Sequence, residues 1–499
     1  MIPIHSDPPI LIASLALPFI ASVIAGGAIG KKFSRAAMII TSASFAPLFV
    51  YASYLLALSK TYLIPPLGYL PKPIGMIYLI SDGLSNAFGL AIALVGGVAL
   101  EIASYPYMKH RFHVLELPEQ FDVYYLLFTL CAASMELLIY SYNLLLMYIA
   151  LEVSLITPVI LIYYYGYDTQ GKSRRWIALL YFVYGMLAST LFLIGAVLVA
   201  LENNTMDLAA IKNISLIAWA LMFIGLLIKL PSFGPHVWIP WVHGSHPTPV
   251  AALISGLVGL MAYVLARIYI ISPPYFIDEF RLPILIYAIV GGIIISLGVI
   301  RHQYHYKWLL AYSTAANSTY LLIGLALGSY GILGLTMHYI SHLFGKTVLF
   351  MTAASIIVYY EEFDIRKMGG LQTYIPSVGA AAVLGWMALS GVLTLSMLAE
   401  FYLFLGLVNV ILPSYPLWVF IGLAVGLAAI FVLTGYYGFW TLKQVFYGQP
   451  RGNYHKVNVD PKLVIPLYVL GLAAIILLFP PASTYIVHSI LMSIGMIMR

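Results

Sequence analysis

Long apolar runs alternate along this chain with short segments rich in charged residues, proline and glycine. A helix that crosses the hydrocarbon core of a bilayer needs about 20 mostly apolar residues. We therefore predict an all-α polytopic membrane protein in which residues 1–499 form a single membrane domain of about fourteen transmembrane helices, with no further span after residue 481. The predicted spans are 10–30, 36–58, 82–104, 122–141, 143–165, 176–200, 213–241, 248–271, 283–300, 308–328, 330–359, 375–411, 414–442 and 463–481.

The seventh and twelfth spans are too long for one straight helix, and each contains residues that interrupt helices. Pro231, Gly234 and Pro235 predict a break in the seventh span, because proline removes a backbone donor and clashes with the preceding turn. Gly391 predicts a break in the twelfth span. Interrupted helices at membrane depth are tolerated only against protein or a water-filled cavity.

The two interrupted spans have opposite orientations and lie five positions apart. Discontinuous helices at corresponding positions of two halves are typical of inverted repeats with an ion site near the midplane. We predict a first repeat of helices 4–8 at residues 122–271 and a second repeat of helices 9–13 at residues 283–442.

The composition excludes a soluble enzyme, since 62% of the residues are hydrophobic, 8% are charged and the mean hydropathy is +0.97. The loops on one side of the predicted spans, including the loop that holds Lys307, contain 16 Lys and Arg residues against 5 on the other side. By the positive-inside rule, this predicts a multi-pass protein of the cell membrane, in a prokaryote the plasma membrane, with both termini outside the cytoplasm.

The sequence predicts no cofactor or metal site within this chain. Cys131 is the single cysteine, and one thiol cannot hold an iron–sulfur cluster or form an internal disulfide. Any electron transfer connected with this protein is expected in partner subunits.

Three ionisable residues lie deep within predicted spans: Glu152, Lys229 and Glu400. A charge in hydrocarbon is costly, so a residue of this kind is a candidate for ion transport. The alternatives are a helix–helix hydrogen bond for Glu152, a snorkelling side chain for Lys229 and a helix cap for Glu400. By contrast, we expect Glu101 and Glu136 near span ends.

His338, His342 and Lys346 are spaced at i, i+4 and i+8, which places them on one face of a helix. Groups that exchange protons, arranged along one face, are what a proton path needs. The alternatives are a His-x3-His metal site and a packed polar seam.

A second group of histidines, His236, His243 and His246, follows the break in the seventh span. These residues are either a proton uptake route from the cytoplasm toward Lys229 or an ordinary polar loop. Arg267 is expected to act as an anchor near the end of the eighth span.

These motifs resemble one known family. The segments SDGLSNAF, HVWIPWVHGSHPTPVAALISG, HYISHLFGKTVLFMTAASI and LAEFYLFLG, with Glu152 and Pro158 in the fifth span and Lys229 before Pro231, are similar to the antiporter-like subunits of respiratory complex I, in particular the subunit M type. The family includes related subunits of membrane-bound hydrogenases and of multisubunit cation/proton antiporters.

The resemblance implies a proton-translocating, non-redox subunit of a quinone oxidoreductase of the NADH or ferredoxin type. A proton would move along Lys229, His342 or Lys346, and Glu400, while Glu152 tunes Lys229. Where many relatives have a second lysine in the helix after the PTP motif, this chain has Gly259.

The same resemblance implies the partners. These would be further antiporter-like and other membrane subunits, peripheral redox subunits that hold the quinone, flavin and iron–sulfur sites, the lipid bilayer, and protons or sodium ions, with no nucleic acid. The open alternatives are a subunit of a multisubunit sodium/proton antiporter and a stand-alone secondary solute transporter.

Overall fold

The computed structural model describes residues 10–272, 274–302 and 304–497, which are almost entirely helical. Within these residues, ten helices are long and apolar enough to cross a membrane. The 20-residue helix Tyr306–Leu325 and five shorter apolar helices account for the other crossings. The prediction of an all-α polytopic membrane protein is confirmed. The helices are α1 (Ile10–Lys32), α2 (Ser34–Leu58), α3 (Gly83–Val114), α4 (Phe121–Tyr140), α5 (Leu144–Tyr165), α6 (Arg174–Asn203), α7 (Leu216–Lys229), α8 (Ile239–Ser245), α9 (Thr248–Ile271), α10 (Pro274–Arg301), α11 (Tyr306–Leu325), α12 (Gly328–Tyr360), α13 (Pro376–Leu389), α14 (Leu395–Ile411), α15 (Leu417–Tyr447), α16 (Pro461–Ile476) and α17 (Ala482–Ile497).

The seventh crossing is an interrupted helix. Helix α7 ends at Lys229, and a short 3-10 turn at Pro235–Trp238 leads into α8. Gly234, which joins the two parts, has a φ of +90°, a conformation that glycine adopts at little cost.

The twelfth crossing is interrupted between α13 and α14. Gly391 and Leu393 in this gap have φ values of +66° and +53°. A left-handed conformation at a leucine is uncommon, so the surrounding packing must hold this turn in place.

The last crossing differs from the sequence-based prediction, which ended it at residue 481 and left no helix in the tail. Helix α16 packs along the second part of α3, and α17 packs along the first part of α3 and against α2. The backbone N–H of Gly83 donates to the Ser493 hydroxyl at 2.6 Å. Since α16 and α17 lie in succession along one helix, they form a single interrupted crossing, and the described residues contain fourteen crossings.

A two-stranded antiparallel sheet joins α2 to α3 and was not predicted. Strand β1 (Tyr62–Leu70) pairs with β2 (Gly75–Ser81), and the register shifts between Ile64 and Gly68, where the chain contains two prolines that cannot donate backbone hydrogen bonds. The carbonyl of Met76 accepts from the Asn143 amide at 2.9 Å, which ties the hairpin to the α4–α5 turn.

The core lies around α9 and α12. An 18-residue stretch of α9 is 100% buried and one of α12 is 83% buried, whereas only 22% of the corresponding stretch of α15 is buried. Polar side chains on α9 and α12 are therefore shielded from lipid by the surrounding helices.

Candidate functional site

The structure places Lys346, His342 and His338 along the buried face of α12. The two imidazole rings are stacked with their centroids 6.0 Å apart. The Lys346 ammonium donates to the Leu310 carbonyl at 2.8 Å and to the Ser313 hydroxyl, both on α11. Among the described residues, neither ring nitrogen of His342 has a hydrogen-bond partner, so both stay available for proton exchange.

At its far end, this row of side chains approaches Glu400. The His338 ring stacks on the Tyr320 ring at 4.2 Å, and its Nδ1 lies 3.3 Å from the Ser396 hydroxyl, which is four residues from Glu400 on α14. Tyr320 also interacts electrostatically with Glu400. Helices α11 and α14 thus link the α12 histidines to this carboxyl group.

Gly391 shapes the pocket of Glu400. A β-carbon at this position would lie 2.6 Å from Glu400 Oε1, too close for any real contact. The absence of a side chain therefore allows the interrupted backbone to pack directly on the carboxyl group, in addition to permitting the positive φ.

Helix α8 and the residue that follows it contribute two fully buried histidines, His243 and His246. His246 Nδ1 lies 2.7 Å from the Val242 carbonyl, which assigns the proton to Nδ1. His243 Nε2 lies 3.2 Å from the hydroxyl of Ser255 on α9. His243 interacts electrostatically with His246 and also with two groups on α12, Lys346 and His342.

Lys229 is the last residue of α7 and lies partly buried at the helix interruption. It interacts electrostatically with Glu152 of α5. In the part of the chain that the structure describes, the two groups do not form an ion pair within 4 Å, and Glu152 Oε1 is buried without a hydrogen-bond partner. The lysine and the carboxyl group are therefore near each other but separate.

A small cavity lies beside Lys229. Its volume of about 20 Å³ is enough for one water molecule, and its walls include Tyr181 and Trp238. The Trp238 ring stacks on Tyr181 at 5.4 Å, and the ring of Tyr181 is 5.8 Å from that of His246. Tyr181 therefore lies between Lys229 and the buried histidines.

His236 does not lie with the other two histidines of its segment. It is partly buried, and its ring neighbours are Phe233 at 6.1 Å and Tyr312 of α11 at 6.2 Å. The structure thus brings His243 and His246 toward α12 and leaves His236 on the α10–α11 side.

The space beside Gly259 is occupied by the side chain of Tyr339. A β-carbon at this position would lie 2.7 Å from the ring of Tyr339 on α12, and the Tyr339 hydroxyl donates to the Gly256 carbonyl at 3.3 Å. An aromatic ring therefore occupies the space beside α9 at this level.

Glu101 and Glu136 are fully buried by protein. Glu101 lies well inside α3, which corrects the expectation that it is near a span end, whereas Glu136 lies four residues before the end of α4, as expected. Glu101 accepts hydrogen bonds from Thr129 at 2.7 Å and from Thr41 at 3.1 Å. Neither oxygen of Glu136 has a partner among residues 10–272, 274–302 and 304–497. Sequence reasoning missed the position of Glu101 because helix α3 is longer than its predicted span, and it missed the burial of Glu136 because α4 is surrounded by protein.

Arg267, expected as an anchor near the end of the eighth span, forms a buried ion pair four residues before the end of α9. Its two terminal nitrogens each lie 2.6 Å from an oxygen of Asp82, and both side chains are 1% exposed or less. Burial alone would raise the pKa of Asp82, but the Arg267 charge and the Ser85 hydrogen bonds outweigh it and hold that pKa below its usual value. The sequence indicates the helix cap, because Ser85 follows Asp82 by three residues, but it does not indicate that Arg267 binds Asp82.

Lys307 was counted with the cytoplasmic loop charges, yet the structure buries it completely at the start of α11. Its ammonium donates to the carbonyls of Gly244 at 3.0 Å and His246 at 2.5 Å. Nothing in the local sequence distinguishes it from the exposed lysines nearby.

The histidine spacing on α12 also suggested a metal site. In the described part of the chain, no group of three or more His, Cys, Asp or Glu side chains is placed to hold a metal ion. The arrangement instead offers a series of single proton-exchanging groups.

Comparison with known proteins gives a consistent result. Residues 141–430, more than half of the chain, match the family described as NADH:quinone oxidoreductase/Mrp antiporter, transmembrane. NADH-quinone oxidoreductase subunit M of Rickettsia conorii is 27% identical over 347 residues, which are 66% of this chain and 68% of that protein. NAD(P)H-quinone oxidoreductase chain 4 3 of Trichormus variabilis is 28% identical over 500 residues, covering 93% of this chain and 86% of that protein.

Two solved structures share the fold. A chain of the Mrp complex from Dietzia sp. superposes with a TM-score of 0.82 at 17% identity, covering 98% of this chain and 99% of that one. A chain of respiratory complex I from Thermus thermophilus with bound NADH superposes with a TM-score of 0.76 at 18% identity, covering 97% and 100%.

Proposed function

The chain belongs to the NADH:quinone oxidoreductase/Mrp antiporter transmembrane family, and we propose that it carries protons through the membrane part of a complex I-type or related energy-converting oxidoreductase. It is an antiporter-like membrane subunit of the subunit M or chain 4 kind. The observation that carries the proposal is the buried series of ionisable side chains from α7 to α14.

The proposed path connects Lys229, past Tyr181, with His246 and His243, and it continues from these histidines onto α12. From there the proton passes along Lys346, His342 and His338 to Glu400. The stacked histidine rings, the unpartnered nitrogens of His342 among the described residues and the approach of α14 support this order. Tyr339 fills the space at Gly259, so the route at this level uses α8 and α12 rather than a group on α9.

Glu152 is proposed to regulate Lys229. A carboxylate close to lysine favours the charged amine, and separation of the two groups favours release of the proton. The pair is close enough to interact but is not in direct contact, so a small movement of α5 or α7 changes the interaction substantially.

The energy is proposed to come from redox chemistry in partner subunits, which would also hold the quinone, flavin and iron–sulfur sites. Moving one charge against 100 mV costs about 2.3 kcal/mol. Membrane-subunit partners follow from the family. The peripheral redox partners, the cell membrane as location and the choice of protons over sodium ions belong to the proposal.

A stand-alone solute transporter is not favoured, because the similar proteins are subunits of oxidoreductases and the described spans leave their ionisable groups in a line rather than around one large cavity. One measurement distinguishes the proposed function from that of a sodium/proton antiporter subunit: the dependence of transport activity on sodium concentration at constant pH. We expect no such dependence.

The direct test replaces Lys229 with alanine in the assembled complex. We expect Lys229→Ala to abolish proton pumping in inverted membrane vesicles while the subunit stays inserted and assembled, because the series then has no exchangeable group at the helix break. Lys212→Ala, in the exposed loop before α7, is the matched control and should pump normally. Normal pumping by the Lys229 variant would refute the proposal.

A further inference from the structure

Lys307 is a buried cation that the path above does not use. Its side chain is fully buried, and its ammonium is held by the carbonyls of Gly244 and His246 at the end of α8. It also lies 4.8 Å from the centre of the Tyr167 ring. Because the C-terminal end of a helix carries partial negative charge, this position stabilises a cation.

A second buried cation lies beside it. The Arg111 guanidinium is 3.6 Å from the centre of the same Tyr167 ring and donates to the carbonyls of Tyr165 at 3.0 Å and Gly166 at 2.5 Å. Within the described ranges, neither Arg111 nor Lys307 has a carboxylate oxygen within 4 Å. Arginine keeps its proton in proteins, whereas lysine can release one.

Two acceptors are present next to Lys307. His246 carries its proton on Nδ1, which leaves the lone pair on Nε2, and the Pro158 carbonyl also interacts with this ring. The Ser255 hydroxyl donates to the Ala251 carbonyl at 3.1 Å and therefore accepts from His243 Nε2, which leaves the lone pair on His243 Nδ1. Both histidines interact electrostatically with Lys307.

We propose that Lys307 is the proton donor on the cytoplasmic side of the path, taking protons from water near the partly exposed Tyr167 and passing them to His246 and His243. In this step one N–H bond of the Lys307 ammonium breaks and one N–H bond forms on an imidazole nitrogen, leaving a neutral amine that water reprotonates. This inference rests on the proposed function, and it identifies the residue through which protons enter the proposed path. The charged and titratable groups that face Lys307 are Arg111 from α3, Tyr167 from the α5–α6 loop, His243 and His246 from α8, and His305 at the start of α11.

The alternative role for Lys307 is a fixed positive charge that only closes the end of α8. The two roles differ in what a substitution preserves. Lys307→Arg keeps the charge and the carbonyl contacts but cannot release a proton, whereas Lys307→His keeps an exchangeable proton and loses the permanent charge.

The experiment measures proton pumping and its pH profile in vesicles that contain the assembled complex. We expect Lys307→Arg to reduce the pumping rate by roughly 100-fold or more, and Lys307→His to retain pumping with an optimum at lower pH. Lys109→Arg, whose side chain on α3 is 61% exposed, is the matched control and should behave as the wild type.

The proposal is overturned if assembled Lys307→Arg pumps normally, or if assembled Lys307→His pumps at no pH. Should the arginine variant fail to assemble, the histidine variant and its pH profile decide alone. Lys229→Ala, measured in parallel, keeps the two proposals distinguishable: inactive Lys229→Ala with active Lys307→Arg removes only the inference about Lys307.

Discussion

At the scale of single residues, Lys346, Lys307 and Arg267 are buried cations that are held in two different ways. Lys346 and Lys307 are held by backbone carbonyls and hydroxyls, whereas Arg267 is held by the carboxylate of Asp82. When a lysine bound to neutral carbonyls loses its proton, no buried anion is left unpaired. Neutralising the arginine of a buried ion pair would leave the carboxylate buried and unpaired. The lysines are therefore suited to proton exchange, and the arginine is suited to a permanent contact.

His305 provides a residue-level prediction outside the membrane-spanning helices. Its Nδ1 accepts a hydrogen bond from the Trp308 backbone at 3.4 Å, and burial together with the nearby Lys307 charge lowers its pKa to about 4. Between about pH 6.5 and pH 4 the unfolded chain binds a proton that the folded chain does not, so stability falls as the pH is lowered through this range.

We expect His305→Asn to lose less stability on acidification than the wild type, by on the order of 1–3 kcal/mol, because asparagine caps a helix without titrating. Thermal unfolding in detergent at several pH values from 6.5 to 4.5 measures the difference. Parallel losses in the two proteins would contradict this assignment.

At the scale of elements, the helix ends are fastened by specific contacts. Asp82 caps α3 in a reciprocal hydrogen-bond pair with Ser85 and also binds Arg267, so one carboxylate joins α3 to α9. Gly83 next to it packs against the backbone of Ser489 in α17. These contacts join the start of α3 to α9 and to the middle of α17.

A double-mutant cycle on this pair tests that role. We expect Asp82→Ala to destabilise the protein by about 3–5 kcal/mol, because it leaves the Arg267 charge buried and unpaired. Adding Arg267→Met should restore part of the loss, since the stranded charge is then removed. Thermal unfolding of the four proteins gives the coupling energy, and additive effects would argue against the pair as a joint fastening.

At the scale of the whole molecule, the peripheral helices shield the ionisable series from lipid. Helix α15 exposes most of its surface, while α9 and α12 are enclosed. The hairpin β1–β2 and the α5–α6 loop lie at opposite ends of crossings, which places them on opposite sides of the membrane. The charge distribution predicts that the α5–α6 loop faces the cytoplasm.

Cysteine labelling checks this orientation, since Cys131 is buried and gives little background. We expect Tyr69→Cys, at a position 60% exposed in β1, to react with a membrane-impermeant maleimide in intact cells. Gln170→Cys, in the exposed α5–α6 loop, should react only after permeabilisation. The reverse pattern would place the termini in the cytoplasm.

The sequence by itself determined the crossings and the two predicted interruptions, because hydrocarbon requires long apolar segments and proline and glycine interrupt helices locally. Whether the ten crossings formed by α4–α15 make up two inverted repeats stays a prediction. Only the tertiary structure decided that Lys307, Glu136 and Arg267 are buried, that residues after 481 complete a crossing and that Tyr339 fills the space at Gly259. These features depend on which distant helix packs alongside, and a local pattern of residues does not contain that information.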